Sequence, residues 1–411
     1  MKRISITDYS YLIYLQTKAA YILGRILNII QPIGTAQKEN DDKNNIRKVL
    51  VLKTDEIGDF VLATPFLREL RLMLPNARIT LVVSPTTYNL AELCPYVNEI
   101  IVYRQSVPRK LRPFILSWRA FKLGYCTLRQ KHFDIALMPR WDTDGYYSAY
   151  IAYSSGAKRR VGYAENVNSR KQIMNKGFDL MFTEVLHDKM PKHEVERYLD
   201  FIRYLGGKPS SDALELWIDS IDDTYADQIL NNISNKMLVA FCPGAGAVDR
   251  QWPPNRFIEL GHWLKKNYDS SIIIVGGFND KTLGKNIGDA LKEETINLTG
   301  STTLRQTVAL LKRCHLYVGN DTGSMHIAAA MGVPIIEISC FPVDGPNWHW
   351  NSPLRFGPWK VPHKILQAKS FFSNIPVACT GNYTNTILQI SVEQVQNAIQ
   401  ELFPQYDTDL K

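Results

Sequence analysis

Two stretches of this 411-residue chain place charged and small residues directly behind apolar, β-branched runs. Lys53-Thr54-Asp55-Glu56-Ile57-Gly58-Asp59 follows residues 49–52, and Gly319-Asn320-Asp321-Thr322-Gly323-Ser324-Met325-His326 follows residues 316–318. Each precedes a helix-like pattern, so each belongs at the carboxyl end of a parallel-type strand, where α/β proteins hold their ligands. The turn Asp321-Thr322-Gly323-Ser324 can aim free backbone N–H groups at a phosphate, with Gly323 admitting close approach. Asp321 would serve equally well as a helix N-cap. His326, about one turn further on, either touches the phosphate or braces the loop. Pro243-Gly244-Ala245-Gly246 behind another strand is a second cradle, and Arg250 beyond it is either a cation for the same anion or an ordinary loop arginine. Asp59, after the tight turn that Gly58 permits, is either a positioned base or the N-cap of a helix beginning near Phe60. Lys53 is a candidate to hold an anionic group of either reactant.

The elements that must carry these residues alternate between strand and helix. In the front half, strands are expected over 47–52, 78–83, 99–103 and 133–138, with another ending at 161–163, and helices over 60–74 and 89–94. In the back half, strands are expected over 237–241, 271–275, 295–298, 316–318 and 334–338, with helices over 252–267, 281–292, 303–312 and after Gly323. Repeated βαβ units wind right-handed into parallel sheets with helices on both faces. The chain also exceeds the length that one core usually serves. The reading is therefore an amphipathic amino-terminal segment and linker (1–45), a first α/β domain (46–215) and a second (216–411). No G-x-G-x-x-G follows the first strand of either half, which disfavours a nicotinamide dehydrogenase.

Composition is ordinary for a globular protein, with 45% hydrophobic and 21% charged residues, but the formal charge of +8 favours an anionic partner. Nothing resembles a nucleic-acid-binding module, so the expected partner is a phosphorylated molecule or a phospholipid surface. The six cysteines (Cys94, Cys126, Cys242, Cys314, Cys340, Cys379) lack paired spacing and read as reduced thiols of a cytoplasmic protein. The histidines are dispersed, without a zinc motif. Asp142 and Asp144 form an Asp-x-Asp pair that could hold a divalent ion, although such pairs are common in loops. The expectation is no metal and no cofactor.

Two basic groups remain. Arg104, Arg109, Lys110, Arg112, Arg119, Lys122, Arg129 and Lys131 interleave with Phe114, Trp118, Phe121 and Tyr125, and suit a phosphorylated glycolipid at a membrane or a solvated helix face. Lys158, Arg159 and Arg160, with Arg170 and Lys171, could bind acidic groups of an acceptor. No signal peptide is expected, since polar sequence follows Lys2 and Arg3 and no cleavage site is apparent. Leu12, Leu15, Ala19, Ile22, Leu23, Ile26, Leu27 and Ile30 recur at helical spacing, interrupted by Lys18 and Arg25. Such a helix lies on a membrane rather than crossing it, or packs on the protein's own surface.

Taken together, the three stretches resemble glycosyltransferase family 9, the ADP-heptose:lipopolysaccharide heptosyltransferases. Residues 53–59 look like its Lys-x-x-x-x-Gly-Asp element, and Asp321-Thr322-Gly323 with His326 like its Asp-Thr-Gly-x-x-His element. Residues 243–246 with Arg250-Gln251-Trp252-Pro253 look like a third signature, and the resemblance spans residues 47–400. It implies the GT-B fold: two facing Rossmann-like domains with parallel sheets and a cleft between them, the first binding acceptor and the second the nucleotide sugar. It also implies inverting, metal-independent transfer of a heptose or similar sugar from a nucleoside diphosphate, ADP above all. The acceptor would be lipopolysaccharide core or a related anionic glycolipid or oligosaccharide, met by a peripheral enzyme on the inner face of the cytoplasmic membrane.

Asp59 is then the implied catalytic base. Arg250 stands where the family usually has Lys and would neutralise the leaving diphosphate, with a different reach and fork. Asp280 closes Gly276-Gly277-Phe278-Asn279-Asp280, where the family shows Gly-Gly-Pro-x-Glu and a ribose contact; helix capping is the alternative. The implied donor-binding set is Gly244, Ala245, Gly246, Asp280, Asp321, Thr322, Gly323, Ser324 and His326, and the acceptor-binding set is Lys53, Arg159 and Arg160. A sugar-nucleotide 2-epimerase on the same fold and a non-catalytic sugar-nucleotide-binding protein are the rival readings.

Overall fold

The computed structural model describes residues 14–23, 25–26, 45–108, 112–231, 233, 237–369 and 386–404. They form two compact units. The first comprises Met1–Glu56, Pro65–Met190 and Val195–Asp212; the second comprises Ile57–Thr64, Pro191–Glu194 and Ala213–Lys411.

Along the front of the chain run helix α1 (residues 14–23 and 25–26), β1 (Lys48–Lys53), α2 (Ile57–Leu62), α3 (Thr64–Met73), β2 (Arg78–Val83), α4 (Tyr88–Ala91), β3 (Glu99–Val102) and α5 (Arg112–Lys122). Then come β4 (Ile135–Met138), α6 (Ser148–Ser154), β5 (Arg159–Tyr163), α7 (Ser169–Met174), β6 (Glu184–Leu186) and α8 (Glu194–Tyr204). Their sheet has the order β3-β2-β1-β4-β5-β6 and is parallel throughout. Parallel strands covered on both faces are apolar without alternation. Val49, Leu50, Val51 and Leu52 of β1 accordingly are all buried.

The second unit continues with α9 (Ser220–Leu230), β7 (Met237–Cys242), α10 (Pro254–Tyr268), β8 (Ser270–Ile274), α11 (Lys281–Leu291), β9 (Thr295–Asn297) and α12 (Leu304–Leu311). It closes with β10 (Leu316–Asn320), α13 (Gly323–Ala330), β11 (Ile335–Ile338), α14 (Pro353–Phe356), β12 (His363–Leu366) and α15 (Val392–Leu402). Its parallel sheet has the order β12-β11-β10-β7-β8-β9. Trp252, Phe257 and Leu260, together with Val395 and Ile399 of α15, pack with Val239, Phe241 and Val318 in one core. Each such side chain contributes about 1.5–3 kcal/mol by leaving water.

Both sheets therefore reverse their winding beside their first strand, between β1 and β4 and between β7 and β10. In open α/β sheets, that reversal opens a crevice at the strands' carboxyl ends and makes it the place for ligands.

The expected helix over 60–74 is instead two. α2 starts earlier, at Ile57, and ends at Leu62, and α3 starts at Thr64. Pro65 has no N–H for the carbonyl of Val61, and the Thr64 hydroxyl donates to that carbonyl at 2.8 Å. This break separates α2 from α3 and releases it to pack with the second unit. The helix expected over 89–94 is a single turn, Tyr88–Ala91, and the strand expected from 133 begins at Ile135.

Candidate functional site

In the second unit one buried amide ties the end of β10 to the loop leaving β7. Asn320 Nδ2 donates to the carbonyls of Pro243 (2.8 Å) and Gly244 (3.1 Å), while its Oδ1 accepts from the Trp252 N–H at 3.1 Å. Gly244 has no room for a side chain, since a Cβ there would lie 2.4 Å from Asp280 Cγ. Asp280 accepts from the Gly277 N–H at 2.8 Å and makes no capping bond to α11, which it precedes. Its carboxylate thus fixes the turn after β8, against the loop after β7.

The start of α13 lacks the usual side-chain cap. Thr322 occupies the N-cap position in an extended conformation but makes no side-chain cap bond. Its hydroxyl is held instead near Tyr317 Oη (3.4 Å) and Cys242 Sγ (3.6 Å). Asp321 does not cap the helix either. Arg250 Nη2 donates to its Oδ2 at 3.0 Å and to its backbone carbonyl at 3.1 Å. Neither side chain therefore caps the first turn of the helix, where the positive end of its dipole lies. Burial pushes the Asp321 carboxyl above the usual range against the pull of Arg250, and Asp59 adds to the rise. Glu337 on β11, in register with Gly319, is 1% exposed, and burial, followed by the charge of Asp321, drives its carboxyl far up. Arg250 Nε is buried without a hydrogen-bond partner.

α2 lies directly on α13. A Cβ at Gly58 would sit 2.5 Å from Cδ2 of His326, and a Cβ at Gly323 would sit 2.8 Å from Cβ of Ile57. Glycine at both positions lets the helices touch. His326 is 3% exposed, and burial, aided by His193, lowers its pKa to about 3. It is a neutral prop. Asp59 is the third residue of α2, inside the first turn, so it is not the N-cap, and it is half-buried.

In the first unit the carboxyl end of β1 carries a buried ionic cluster. Lys53 Nζ lies 2.9 Å from the Asp55 carboxylate and donates to Tyr198 Oη at 2.6 Å, and Arg140, just beyond β4, reaches Asp55 Oδ2 at 2.6 Å. Burial alone would raise the Asp55 carboxyl, but Lys53 and Arg140 together more than offset it and hold it below the usual range. Two cations face one anion in this cluster, so the Lys53–Asp55–Arg140 group itself carries one positive charge. Arg140, 23% exposed, presents it.

Comparison with known proteins bears on what such sites do. A family model described as glycosyltransferase family 9 (heptosyltransferase) matches residues 122–365, more than half of the chain. The chain belongs to glycosyltransferase family 9. It is 27% identical over 306 residues to lipopolysaccharide heptosyltransferase 2 of Escherichia coli, covering 71% of this chain and 82% of that protein. It is 21% identical over 367 residues to the lipopolysaccharide core heptosyltransferase OpsX of Haemophilus influenzae, covering 87% and 97%. Among solved structures it resembles a family 9 glycosyl transferase from Veillonella parvula (TM-score 0.71, 21% identity, 90% of this chain and 100% of that one). It also resembles the E. coli ADP-heptose lps heptosyltransferase II (TM-score 0.64, 23% identity, 88% and 99%). The fold is GT-B, as the resemblance implied, and the protein is a glycosyltransferase.

Within this family 9 chain the candidate residues separate by location. Gly244, Ala245, Gly246, Arg250, Asp280, Asp321, Thr322, Gly323 and Ser324 gather at the carboxyl ends of β7, β8 and β10, and Asp59 joins them through α2. His326 lies beneath, buried against Gly58, as the bracing alternative expects. Lys53 stands at the right end of its sheet but is 2% exposed and spent on Asp55, which corrects its reading as an anion holder. Arg159 and Arg160 are corrected more sharply. Arg159 pairs with Ile135, which pairs with Val49, and Arg160 with Ala136, which pairs with Leu50, so both arginines enter β5 at the amino end of the sheet, about 10–13 Å of strand below Lys53. Arg159 is bonded twice to Glu184, and Arg160 donates to the carbonyls of Met181 and Ala157. Lys171 is likewise buried, donating to the carbonyls of Arg140 and Tyr163, and burial brings its pKa down to about 8.

The Asp-x-Asp carboxylates are used by the loop itself. Asp142 accepts from the Thr143 N–H, and Asp144 accepts from the N–H groups of Tyr146 and Ala149. Arg140, Asn320 and Glu337 were not singled out from the sequence. Asn320 lay within the quoted motif, and its position at the end of an apolar strand was the available signal; Arg140 and Glu337 carried none.

Proposed function

We propose that this glycosyltransferase moves a heptose or similar sugar from a nucleoside diphosphate, with ADP expected, to lipopolysaccharide core or a related anionic glycan, with inversion at the anomeric carbon. The observation that carries the reading is that α2 packs on α13 and brings Asp59 within charge-interaction range of Asp321, the partner of Arg250, joining a candidate base to a candidate diphosphate site. The second unit takes the nucleotide sugar, and the first takes the acceptor.

The chemistry follows from those groups. An acceptor hydroxyl attacks the anomeric carbon, its proton passes to the Asp59 carboxylate, and the bond to the diphosphate oxygen breaks on the opposite face. Negative charge develops on the departing diphosphate, where the N–H groups of Gly323 and Ser324 and the Arg250 guanidinium stabilise it. Asp280 is the candidate for the ribose hydroxyls. Arg140, with the surplus charge of the Lys53–Asp55 cluster, is the candidate for an anionic group on the acceptor. No metal or nucleic acid enters this scheme. A lipid-linked acceptor would set the enzyme peripherally on the inner face of the cytoplasmic membrane.

Thermal shift against ADP, UDP, GDP and CDP, followed by a donor assay with ADP-heptose and delipidated core oligosaccharide, tests the proposal. At a hundred times its Kd, the matching nucleotide should stabilise the protein by about 2.7 kcal/mol. Preference for another nucleotide, or consumption of the sugar nucleotide without any acceptor product, would contradict it.

A further inference from the structure

α1 is docked the wrong way round for an ordinary amphipathic helix, which turns its apolar stripe to the core. Its polar and aromatic face is the one held by the first unit. Gln16 Nε2 donates to Ser117 Oγ (2.6 Å) and to the Pro113 carbonyl (3.2 Å) of α5. The Thr17 hydroxyl lies 3.0 Å from that of Tyr150 on α6, and Tyr153 Oη donates to the Tyr21 carbonyl at 2.8 Å. Leu15, Ile22, Leu23 and Ile26 on the other face are between 42% and 56% exposed, with Lys18 and Arg25 exposed among them. Leu12, Leu27 and Ile30 of the expected stripe lie outside the described residues.

α5 presents a matching stripe. Phe114 and Trp118 are 55% and 62% exposed, and Lys122 continues their row one turn on. Pro113 and Ser117, which anchor Gln16, are their immediate neighbours, so the two stripes border one seam. Along the two segments that carry these stripes the charge has a single sign: neither residues 9–38 nor residues 100–133 contain Asp or Glu, while Arg104, Arg119 and Lys122 are exposed. Apolar and aromatic groups set among cations, without carboxylates, match the interface of an anionic bilayer. Lys18 and Arg25 interrupt α1, and no helix among the described residues is long and apolar enough to cross a membrane. The fit is to a surface.

We propose that the exposed stripes of α1 and α5 together form a face that docks on an anionic phospholipid bilayer, with Leu15, Ile22, Ile26, Phe114 and Trp118 entering the interface and Lys18, Arg25, Arg119 and Lys122 meeting the headgroups. This deepens the proposed function by naming the surface that brings the enzyme to a lipid-linked acceptor. It rests on that reading only for its purpose.

The test is flotation of the full chain with phosphatidylcholine–phosphatidylglycerol vesicles and with pure phosphatidylcholine vesicles, at low and high salt. The chain should float with the anionic vesicles only, and less so at high salt. The Ile22→Glu/Trp118→Ser double variant should bind them at least about tenfold more weakly, because it removes an apolar anchor from each helix. Its melting temperature and its turnover on a soluble acceptor should stay as in the parent. Absence of flotation by the parent, equal flotation by parent and variant, or a parent dimer in sedimentation that the variant abolishes would overturn the proposal. Turnover on the soluble acceptor reads the transfer reaction separately, so failure of one does not imply failure of the other.

Discussion

Gly58 and His326, 268 positions apart in the sequence, touch: the imidazole fills the space that a Cβ at Gly58 would need, 2.5 Å from Cδ2 and 3.0 Å from Nε2. The Lys-x-x-x-x-Gly-Asp and Asp-Thr-Gly-x-x-His elements are thus one packed device, with a neutral histidine supporting the turn of helix that carries Asp59. Gly58→Ala should force the buried ring or α2 to move. A loss of about 1–3 kcal/mol in stability is expected from the overpacking. Displacement of Asp59 by as little as an ångström should lower turnover by about 100-fold. Denaturant melts and initial rates check both, and an alanine variant with parental turnover would show that the contact does not position Asp59.

Lys53 acts as a strut. Lys53→Met keeps the apolar stem but leaves buried Asp55 with Arg140 alone, and should cost about 3 kcal/mol of stability. Adding Asp55→Asn should recover part of that loss, since the two residues are coupled. Nucleotide affinity should be unaffected in both. A weaker affinity for ADP in Lys53→Met, with unchanged stability, would return Lys53 to the role of anion holder.

Arg250 should read the diphosphate. Arg250→Ala should weaken ADP by about 1.5–3 kcal/mol, the worth of a charge-assisted hydrogen bond, and adenosine much less. Arg250→Lys should recover part of the loss, because the charge returns without the fork. Equal losses for ADP and adenosine by calorimetry would remove Arg250 from phosphate recognition.

Glu337 supplies a pH test. Its carboxyl ionises well above the usual range in the folded state because it is buried beside Asp321. The folded protein therefore holds a proton that the unfolded chain releases. Stability from this group is complete below the unfolded pKa of about 4.3 and is lost as pH rises through the folded pKa. Glu337→Gln should leave stability unchanged near pH 4 and raise it at pH 8. A variant equally destabilised at both values would show that the carboxyl is ionised and satisfied.

Much of this was legible in the sequence because parallel sheets buried on both faces demand uninterrupted apolar runs. β1, β2, β7, β8 and β10 announce themselves that way, and the small residues behind them mark the ligand ends. β6 and β12 did not, being three and four residues long and mostly half-exposed. Residue type alone also cannot rank two arginines by height in a sheet. Arg159 and Arg160 looked like acceptor ligands until strand register put them at the amino end, whereas Arg140, at the carboxyl end, sat in no recognisable pattern. The departure of α2 to the second unit hinged on Pro65 and the Thr64 hydroxyl, a local break that helical periodicity does not reveal.

The central claim, that Asp59 is the base of a transfer from a nucleotide sugar, is tested most directly by Asp59→Asn, which keeps shape and removes the proton acceptor. Turnover of ADP-heptose on core oligosaccharide should fall by about two to four orders of magnitude, the usual worth of a positioned base, while the affinity for ADP stays within about twofold of the parent. Parental turnover in the asparagine variant, or a loss explained wholly by weaker ADP binding, would contradict the account.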